Sequence, residues 1–175
     1  MDDDKLVRLF HLYHVPLVRY LTRRLGDRDW AEEVAQETFL RALRQGELTN
    51  ERSWLFAVAT NLVRDQARKD ERRRRRLQLL AAEERERVSE PTDSIERAQD
   101  AAFARRAVDS LAERDRLALL MREEGLDYGE IAEALNLSVG SVGTTLARAR
   151  RRLTEIYESM QRESLRRAGG HHGAS

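Results

Sequence analysis

The stretch from Gly125 to Leu146 constrains the fold most strongly, because two helix starts can be read from it in close succession. Asp127 can cap a helix with Glu130 three residues later, which is the spacing of a capping box. Asn136 tolerates the left-handed conformation that a tight turn requires, and Ser138 can cap the helix that follows. The pattern predicts two short helices joined by a turn, as in a helix-turn-helix.

The second of these helices, from Val139, is the one that a helix-turn-helix presents to the major groove of DNA. Residues near its start meet base edges, and later arginines meet phosphates. The candidate DNA contacts of this helix are Ser141, Gly143, Thr144, Thr145, Arg148 and Arg151. The alternative is a helical hairpin in an adaptor domain that makes no DNA contact.

Helical spacing of apolar residues also runs through the first half of the chain. It predicts two helices between Leu6 and Leu25, divided at Pro16, because proline starts or kinks a helix. Asp29 and Glu32 resemble a capping box that opens a further helix to about Arg44. This helix is expected to bury one face, composed of Ala31, Val34, Ala35, Thr38, Phe39 and Ala42. Its exposed face carries the polar stripe Glu33, Gln36, Glu37 and Arg41.

A further helix is predicted to begin near Ser53, with Trp54, Val58 and Leu62 on its apolar face. The opposite face is polar and basic and leads into the arginine run at positions 72–76. An asparagine amide can pair with a base edge through both donor and acceptor, and arginines neutralise phosphates. The candidate DNA contacts here are Asn61, Arg64, Arg68 and Lys69.

Together these patterns predict an all-α protein of two small helical domains joined by a flexible linker. The domains are expected at residues 1–76 and 101–160, with the linker at 77–100 and a disordered tail at 161–175. The net charge of +1 averages unlike segments, since residues 64–76 hold eight basic and three acidic residues, whereas residues 83–97 hold three basic and six acidic ones.

Several classes of protein are disfavoured by composition. The 175 residues contain no cysteine, which excludes disulfides and thiolate metal sites. No apolar run approaches the roughly 18–20 residues of a membrane span, so a cytoplasmic protein without membrane insertion is expected. His11 and His14 lack a ligand set for a metal, and no phosphate loop or catalytic motif is found. We therefore expect no enzyme activity, no metal and no cofactor.

Two blocks carry a family resemblance. The segments DWAEEVAQETFLRAL (residues 29–43) and SWLFAVATNLVRD (residues 53–65) resemble sigma region two. The segment LAERDR (residues 111–116), the helix-turn-helix and LARARRRL (residues 146–153) are similar to sigma region four. Two blocks in this order resemble the extracytoplasmic-function (ECF) group of bacterial RNA polymerase sigma factors, which retain these two domains alone.

The resemblance implies roles for the residues singled out above. The stripe at Glu33, Gln36, Glu37 and Arg41 would dock onto the coiled coil of the largest polymerase subunit. Asn61 would capture a flipped base of the minus-ten promoter element beside the loop at 46–52, and the helix from Val139 would read the minus-thirty-five element. The preceding helix, with Leu117, Leu120 and Met121, would pack against the polymerase flap. The implied partners are core RNA polymerase, promoter DNA and an anti-sigma factor.

This sequence departs from the family where many members carry a lysine and an arginine on the recognition helix, since it has Gly143 and Thr145. Either the glycine permits close backbone approach, or recognition depends more on phosphates and DNA shape. Two other classes of function stay open: an autonomous helix-turn-helix regulator that does not bind polymerase, and a helical adaptor.

Overall fold

The computed structural model describes residues 3–78 and 95–169, and their regular elements are all α-helices. The chain divides into two compact units, residues 1–94 and 95–175. The first unit contains α1 (Asp3–Leu25), α2 (Arg28–Gln45) and α3 (Glu51–Gln78). The second contains α4 (Ile95–Asp109), α5 (Glu113–Glu123), α6 (Tyr128–Leu135) and α7 (Val139–Gly169). The expectation of an all-α fold is confirmed.

Helix α1 is one continuous helix, so the prediction of two helices divided at Pro16 is wrong. Proline removes one backbone hydrogen bond and crowds the preceding turn. Leu9 lies before the proline and Leu17 and Leu21 after it, and all three are fully buried. Packing of both halves against one core holds the helix together, because tertiary burial supplies most helical stability in proteins.

Helix α2 buries the six residues that its periodicity predicted. Its start differs from the prediction, because Asp27 and not Asp29 is the cap: the Asp27 carboxylate accepts a hydrogen bond of 3.0 Å from the Trp30 amide. Gly26 ends α1 with a φ of 71°, and this left-handed turn leaves Asp27 as the first residue able to cap.

Helix α3 buries a stripe shifted by one residue from the predicted one. Leu55, Phe56, Ala59 and Val63 are buried, whereas the predicted face of Trp54, Val58 and Leu62 is only half-buried. Both α1 and α2 pack against α3, so its apolar face is wide, and the two adjacent stripes differ in how deeply they lie.

The second unit extends past the boundaries that the sequence suggested. Helix α4 begins at Ile95, inside the expected linker, and α7 continues to Gly169, inside the expected tail. In α7, side-chain pairs one turn apart support the extension, with Arg162–Glu158 at 3.7 Å and Arg167–Glu163 at 2.5 Å. The rest of the predicted linker and tail, residues 79–94 and 170–175, lies outside the described residues.

The core of the second unit lies where α5, α6 and α7 meet, and it includes Leu117, Met121, Ile131, Val142 and Leu146. Phe103 of α4 contacts Tyr157 of α7 edge-to-face at 4.9 Å between ring centroids. Helix α6 has the predicted capping box at Asp127 and Glu130 and has Asn136 as its C-cap.

Candidate nucleic-acid and protein-docking surfaces

The polar stripe of α2 lies on the surface of the first unit. Glu33, Gln36 and Arg41 are exposed and Glu37 is half-exposed. Arg41 donates a hydrogen bond of 2.9 Å to the Glu37 carboxylate one turn earlier. The stripe therefore offers two carboxylates, an amide and one internally paired arginine to a partner.

The basic face of α3 is also available to a partner. Asn61, Arg68 and Lys69 are exposed, while Arg64 is half-buried. Beyond Lys69 the helix stays exposed through Leu77 and carries the arginine run at 72–76, within which Arg75 pairs with Glu71 at 3.0 Å. This end of α3 presents a concentrated positive charge of the kind that attracts a phosphate backbone.

A buried polar network that the sequence analysis did not predict holds Thr60, the residue that precedes Asn61. The Tyr20 hydroxyl and the Thr60 Oγ1 atom are 2.7 Å apart and share a hydrogen bond. The Arg24 guanidinium donates a hydrogen bond of 3.1 Å to the Thr60 carbonyl oxygen. Because Thr60 precedes Asn61, this network fixes the backbone from which the Asn61 side chain projects. A single sequence does not show which polar side chains on two different helices form hydrogen bonds with each other.

Burial shapes the chemistry of this network. It raises the pKa of the Tyr20 phenol above its ordinary value of 10.0, while the nearby Arg24 charge opposes the shift. The neutral phenol is thus the form that the folded protein stabilises.

The loop between α2 and α3 is anchored in its middle and at the end next to α3. Leu48 is buried, and Glu51, in the first turn of α3, accepts two hydrogen bonds from Arg8 of α1, of 2.7 Å and 2.9 Å. The Ser53 hydroxyl donates to the Asn50 carbonyl oxygen at 3.1 Å. These contacts hold the 46–52 loop at the start of α3, the helix that carries Asn61.

In the second unit the predicted capping chemistry of α6 is confirmed. The Asp127 carboxylate accepts a hydrogen bond of 2.8 Å from the Glu130 amide, and Glu130 accepts one of 2.8 Å from the Asp127 amide. Asn136 adopts the left-handed conformation with φ 53° and ψ 51°. Gly125, with a φ of 82°, ends the preceding helix. These residues end α5 and fix the start and the end of α6.

The predicted DNA-contacting residues near the start of α7 divide between two faces. Thr144 is exposed and Ser141 is half-buried. Thr145 is 4% exposed and lies on the buried face with Val142 and Leu146, so its assignment as a DNA contact is corrected. Thr145 lies three residues after Val142, and therefore on the same face of the helix, but its hydroxyl makes it resemble a surface residue in the sequence.

Gly143 lies against an aromatic ring. A Cβ atom at this position would be 3.5 Å from Cε2 of Tyr128, the first residue of α6, and the Arg122 guanidinium sits 5.7 Å from the centroid of the same ring. A Cβ atom at that distance would make an ordinary van der Waals contact with the ring, so the packing of α7 near Tyr128 does not require a glycine at position 143.

Arg148 is paired within the second unit. It donates two hydrogen bonds to the carboxylate oxygens of Asp115, of 2.9 Å and 2.5 Å, and these bonds raise the pKa of the Arg148 guanidinium. Asp115 is only 5% exposed. Arg148, a candidate DNA contact, therefore also joins α7 to α5. Arg151, one turn further on, is exposed.

The apolar residues of α5 are not available to a partner. Leu117, Leu120 and Met121 are all buried in the core of the second unit, so the expectation that they contact the polymerase flap is wrong. Their spacing indicates an apolar face of the helix, but it does not show whether that face packs against the same domain or against a partner.

Residues 3–78 and 95–169 contain no cluster of three or more histidine, aspartate or glutamate side chains placed to hold a metal; His14 instead shares a hydrogen bond of 3.0 Å with Glu32. No helix of this part of the chain is long and apolar enough to cross a membrane.

Comparison with known families and proteins matches both units. Residues 9–74 match the Sigma-70 region 2 family, and residues 104–153 match the Sigma-70, region 4 family. The RNA polymerase sigma factor YlaC of Bacillus subtilis is 29% identical over 171 residues, covering 91% of this chain and 96% of that protein. The ECF RNA polymerase sigma factor BldN of Streptomyces coelicolor is 32% identical over 166 residues, covering 89% of this chain and 61% of that protein.

A solved structure shares the fold. The sigma factor RpoE from Bartonella quintana, co-crystallised with the anti-sigma factor NepR, superimposes with a TM-score of 0.63 at 21% identity. The match covers 89% of this chain and 95% of that one. At 21% identity, the similarity shows that the two proteins share a fold.

Proposed function

Because the chain belongs to the extracytoplasmic-function group of RNA polymerase sigma factors, which direct promoter-specific transcription, we propose that its two units have separate roles. The first unit docks onto core polymerase and opens the promoter, and the second binds the upstream promoter element. One observation supports the proposal. The first unit exposes the polar stripe of α2 and Asn61 of α3, and buried hydrogen bonds hold Thr60, the residue before Asn61, in place.

The docking step uses the stripe Glu33, Gln36, Glu37 and Arg41. Its two carboxylates complement a basic helical surface such as the coiled coil of the largest polymerase subunit. Charge complementarity of this kind speeds association and fixes the register of the partner.

The opening step uses Asn61. Extruding a base from a duplex costs a few kcal/mol of unstacking, and capture of the flipped base by the Asn61 amide offsets part of that cost. Arg64, Arg68 and Lys69 then hold the adjacent backbone through phosphate contacts, whose strength depends on salt.

Upstream recognition uses the exposed face of α7. Ser141 and Thr144 lie where base edges would be met, and Arg151 meets phosphates. With few long side chains near the start of the helix, DNA shape and phosphates carry much of the recognition.

The solved relative that is bound to an anti-sigma factor supports an anti-sigma partner for this chain as well. The polymerisation chemistry belongs to the core enzyme, and this chain supplies promoter choice. Promoter DNA as its target places its action in the cytoplasm.

The test is a reconstituted transcription reaction on fragmented genomic DNA of the source organism. Core polymerase with the chain is expected to give discrete new 5′ ends that core polymerase alone does not give. The Glu37→Arg variant is expected to lose these starts together with core binding. Transcript ends identical with and without the chain would refute the proposal.

A further inference from the structure

The side of α7 that faces away from the core of the second unit carries only short side chains over its first nine residues. The core face of this part of the helix is formed by Val142 and Leu146, which are fully buried. Because each residue turns the helix by about 100°, the opposite face is formed by Gly140, Thr144 and Ala147. All three of these residues are exposed, so they are the part of α7 that can enter a major groove.

The side chains that read guanine and adenine are missing from this part of α7. Arginine or lysine pairs with the O6 and N7 atoms of guanine, and asparagine or glutamine pairs with the N6 and N7 atoms of adenine. Residues 139–147 contain none of these four amino acids. The first arginine after them, Arg148, donates two hydrogen bonds to Asp115. The exposed start of α7 is therefore poorly suited to recognise purines through paired hydrogen bonds.

The same stretch is well supplied with exposed methyl groups. They belong to Val139, which is 56% exposed, and to Thr144 and Ala147, which are also exposed. In the major groove thymine presents a C5 methyl group, and alanine and threonine methyl groups make apolar contact with it. The chemistry of this face therefore matches thymine better than any other base.

Two glycines let this face come close to DNA. Glycine inside a helix destabilises it relative to alanine, yet packing within the second unit does not require glycine here. A Cβ atom at Gly140 would have no neighbour within 4 Å, and one at Gly143 would make an ordinary contact of 3.5 Å with Tyr128. Close approach of the backbone matters for methyl readout, because apolar contact needs carbon atoms within about 4 Å of each other.

We propose that the second unit selects its upstream promoter element through the methyl groups of thymine, and that Thr144 and Ala147 are the residues that read them. Phosphate contacts and DNA shape supply affinity, and the methyl contacts distinguish T·A pairs from the other base pairs. This inference rests on the proposed function and names the base that the exposed face of α7 recognises.

The test uses the full-length chain in complex with core polymerase and a promoter mapped by its transcript start. About ten base pairs of the upstream element, one turn of DNA, are randomised, and the bound fragments are sequenced. Thymine is expected to be enriched at the contacted positions. Deoxyuridine, which lacks the C5 methyl group but keeps the hydrogen-bonding groups of thymine, then replaces each enriched thymine in turn. Each replacement is expected to raise Kd about threefold, the effect of one lost methyl contact.

Variants of the reading residues connect this effect to the protein. Thr144→Ser removes a methyl group and keeps the hydroxyl, so it is expected to bind thymine and deoxyuridine equally at one position. Ala147→Gly is expected to do the same at another position. Thr154→Ser is the matched control, because Thr154 is exposed further along α7 and its hydroxyl donates to the Arg150 carbonyl oxygen at 3.1 Å, as a serine hydroxyl can. This variant is expected to discriminate as wild type does.

The outcomes separate this inference from the proposed function. Enrichment of guanine or cytosine in place of thymine, or of no base at all, would overturn the inference and leave the chain a promoter-binding subunit. Enriched thymines that tolerate deoxyuridine would also overturn it, since that result is expected of DNA shape alone. Wild-type discrimination by both Thr144→Ser and Ala147→Gly would show that these residues do not read the methyl groups. If the complex selects no fragment and starts no transcript, the proposed function fails as well.

Discussion

Arg148 of α7 and Asp115 of α5 form a two-bond ion pair that joins the helix proposed to bind DNA to the helix behind it. Asp115 is buried, whereas the Arg148 side chain is 47% exposed. A buried carboxylate requires a partner. The main role of the Arg148 guanidinium is therefore to pair with Asp115 and fix the position of α7, and not to contact a DNA phosphate.

The first prediction concerns this pair. Arg148→Ala is expected to lower duplex affinity without changing the slope of log affinity against log salt, because positioning and not a phosphate contact is lost. Arg151→Ala, the exposed control, is expected to reduce that slope by about 0.9. Titrations by fluorescence anisotropy at several salt concentrations measure both slopes.

The double variant gives a check on the same pair. Asp115→Ala with Arg148→Ala is expected to lower the melting temperature no more than the more damaging single change, since both remove one interaction. Additive losses would show that Arg148 and Asp115 act independently and contradict the positioning role.

The second prediction concerns Asn61. Asn61→Ala is expected to leave core binding unchanged but to reduce promoter opening, because the side chain that captures the flipped base is missing. A fluorescent base analogue at the melted position reports opening, and Gln66→Ala, another exposed amide on α3, serves as the control. Normal opening by Asn61→Ala would remove Asn61 from this role.

The third prediction follows from the raised pKa of Tyr20. Because the folded pKa lies above the unfolded value, the stabilisation from the neutral buried phenol is fully present below pH about 10 and is lost as pH rises through the folded pKa. Tyr20→Phe is expected to be less stable at neutral pH, by roughly 1 kcal/mol for the lost hydrogen bond, and to show a weaker loss of stability above pH 10. Chemical denaturation across this range measures the effect. Tyr13→Phe, a half-buried phenol on the same helix, is the control, and identical alkaline profiles for Tyr20→Phe and wild type would contradict the assignment.

The fourth prediction concerns two adjacent threonines on α7. Thr144→Val is expected to weaken duplex binding, because Thr144 is on the exposed face. Thr145→Val keeps the size of a buried side chain and is expected to leave duplex affinity unchanged. A loss of affinity for Thr145→Val alone, with an unchanged melting temperature, would restore Thr145 as a DNA contact.

The sequence predicted those parts of the fold that depend on neighbours along one helix. The buried face of α2 follows from regular spacing of Ala31, Val34 and Phe39, and the capping box of α6 follows from residues three apart. Local rules of this kind can be read without knowing what packs against the helix.

The errors arose where distant segments decide the outcome. The continuity of α1 through Pro16 depends on packing against the other helices of the first unit, and the pairing of Arg148 joins residues 33 positions apart. Thr145 shares the core face with Val142 and Leu146, but its hydroxyl makes it resemble a surface residue in the sequence. Periodicity cannot distinguish these cases, because it contains no information on partners outside the helix.

Binding to core polymerase tests most directly whether the chain is the promoter-selecting subunit of a polymerase. The purified chain, mixed with sigma-free bacterial core polymerase, is expected to co-elute with it from a sizing column as a stable complex that Glu37→Arg weakens. A folded chain that elutes separately from core polymerase, and binds duplex DNA as a dimer without it, would contradict the claim and favour an autonomous regulator.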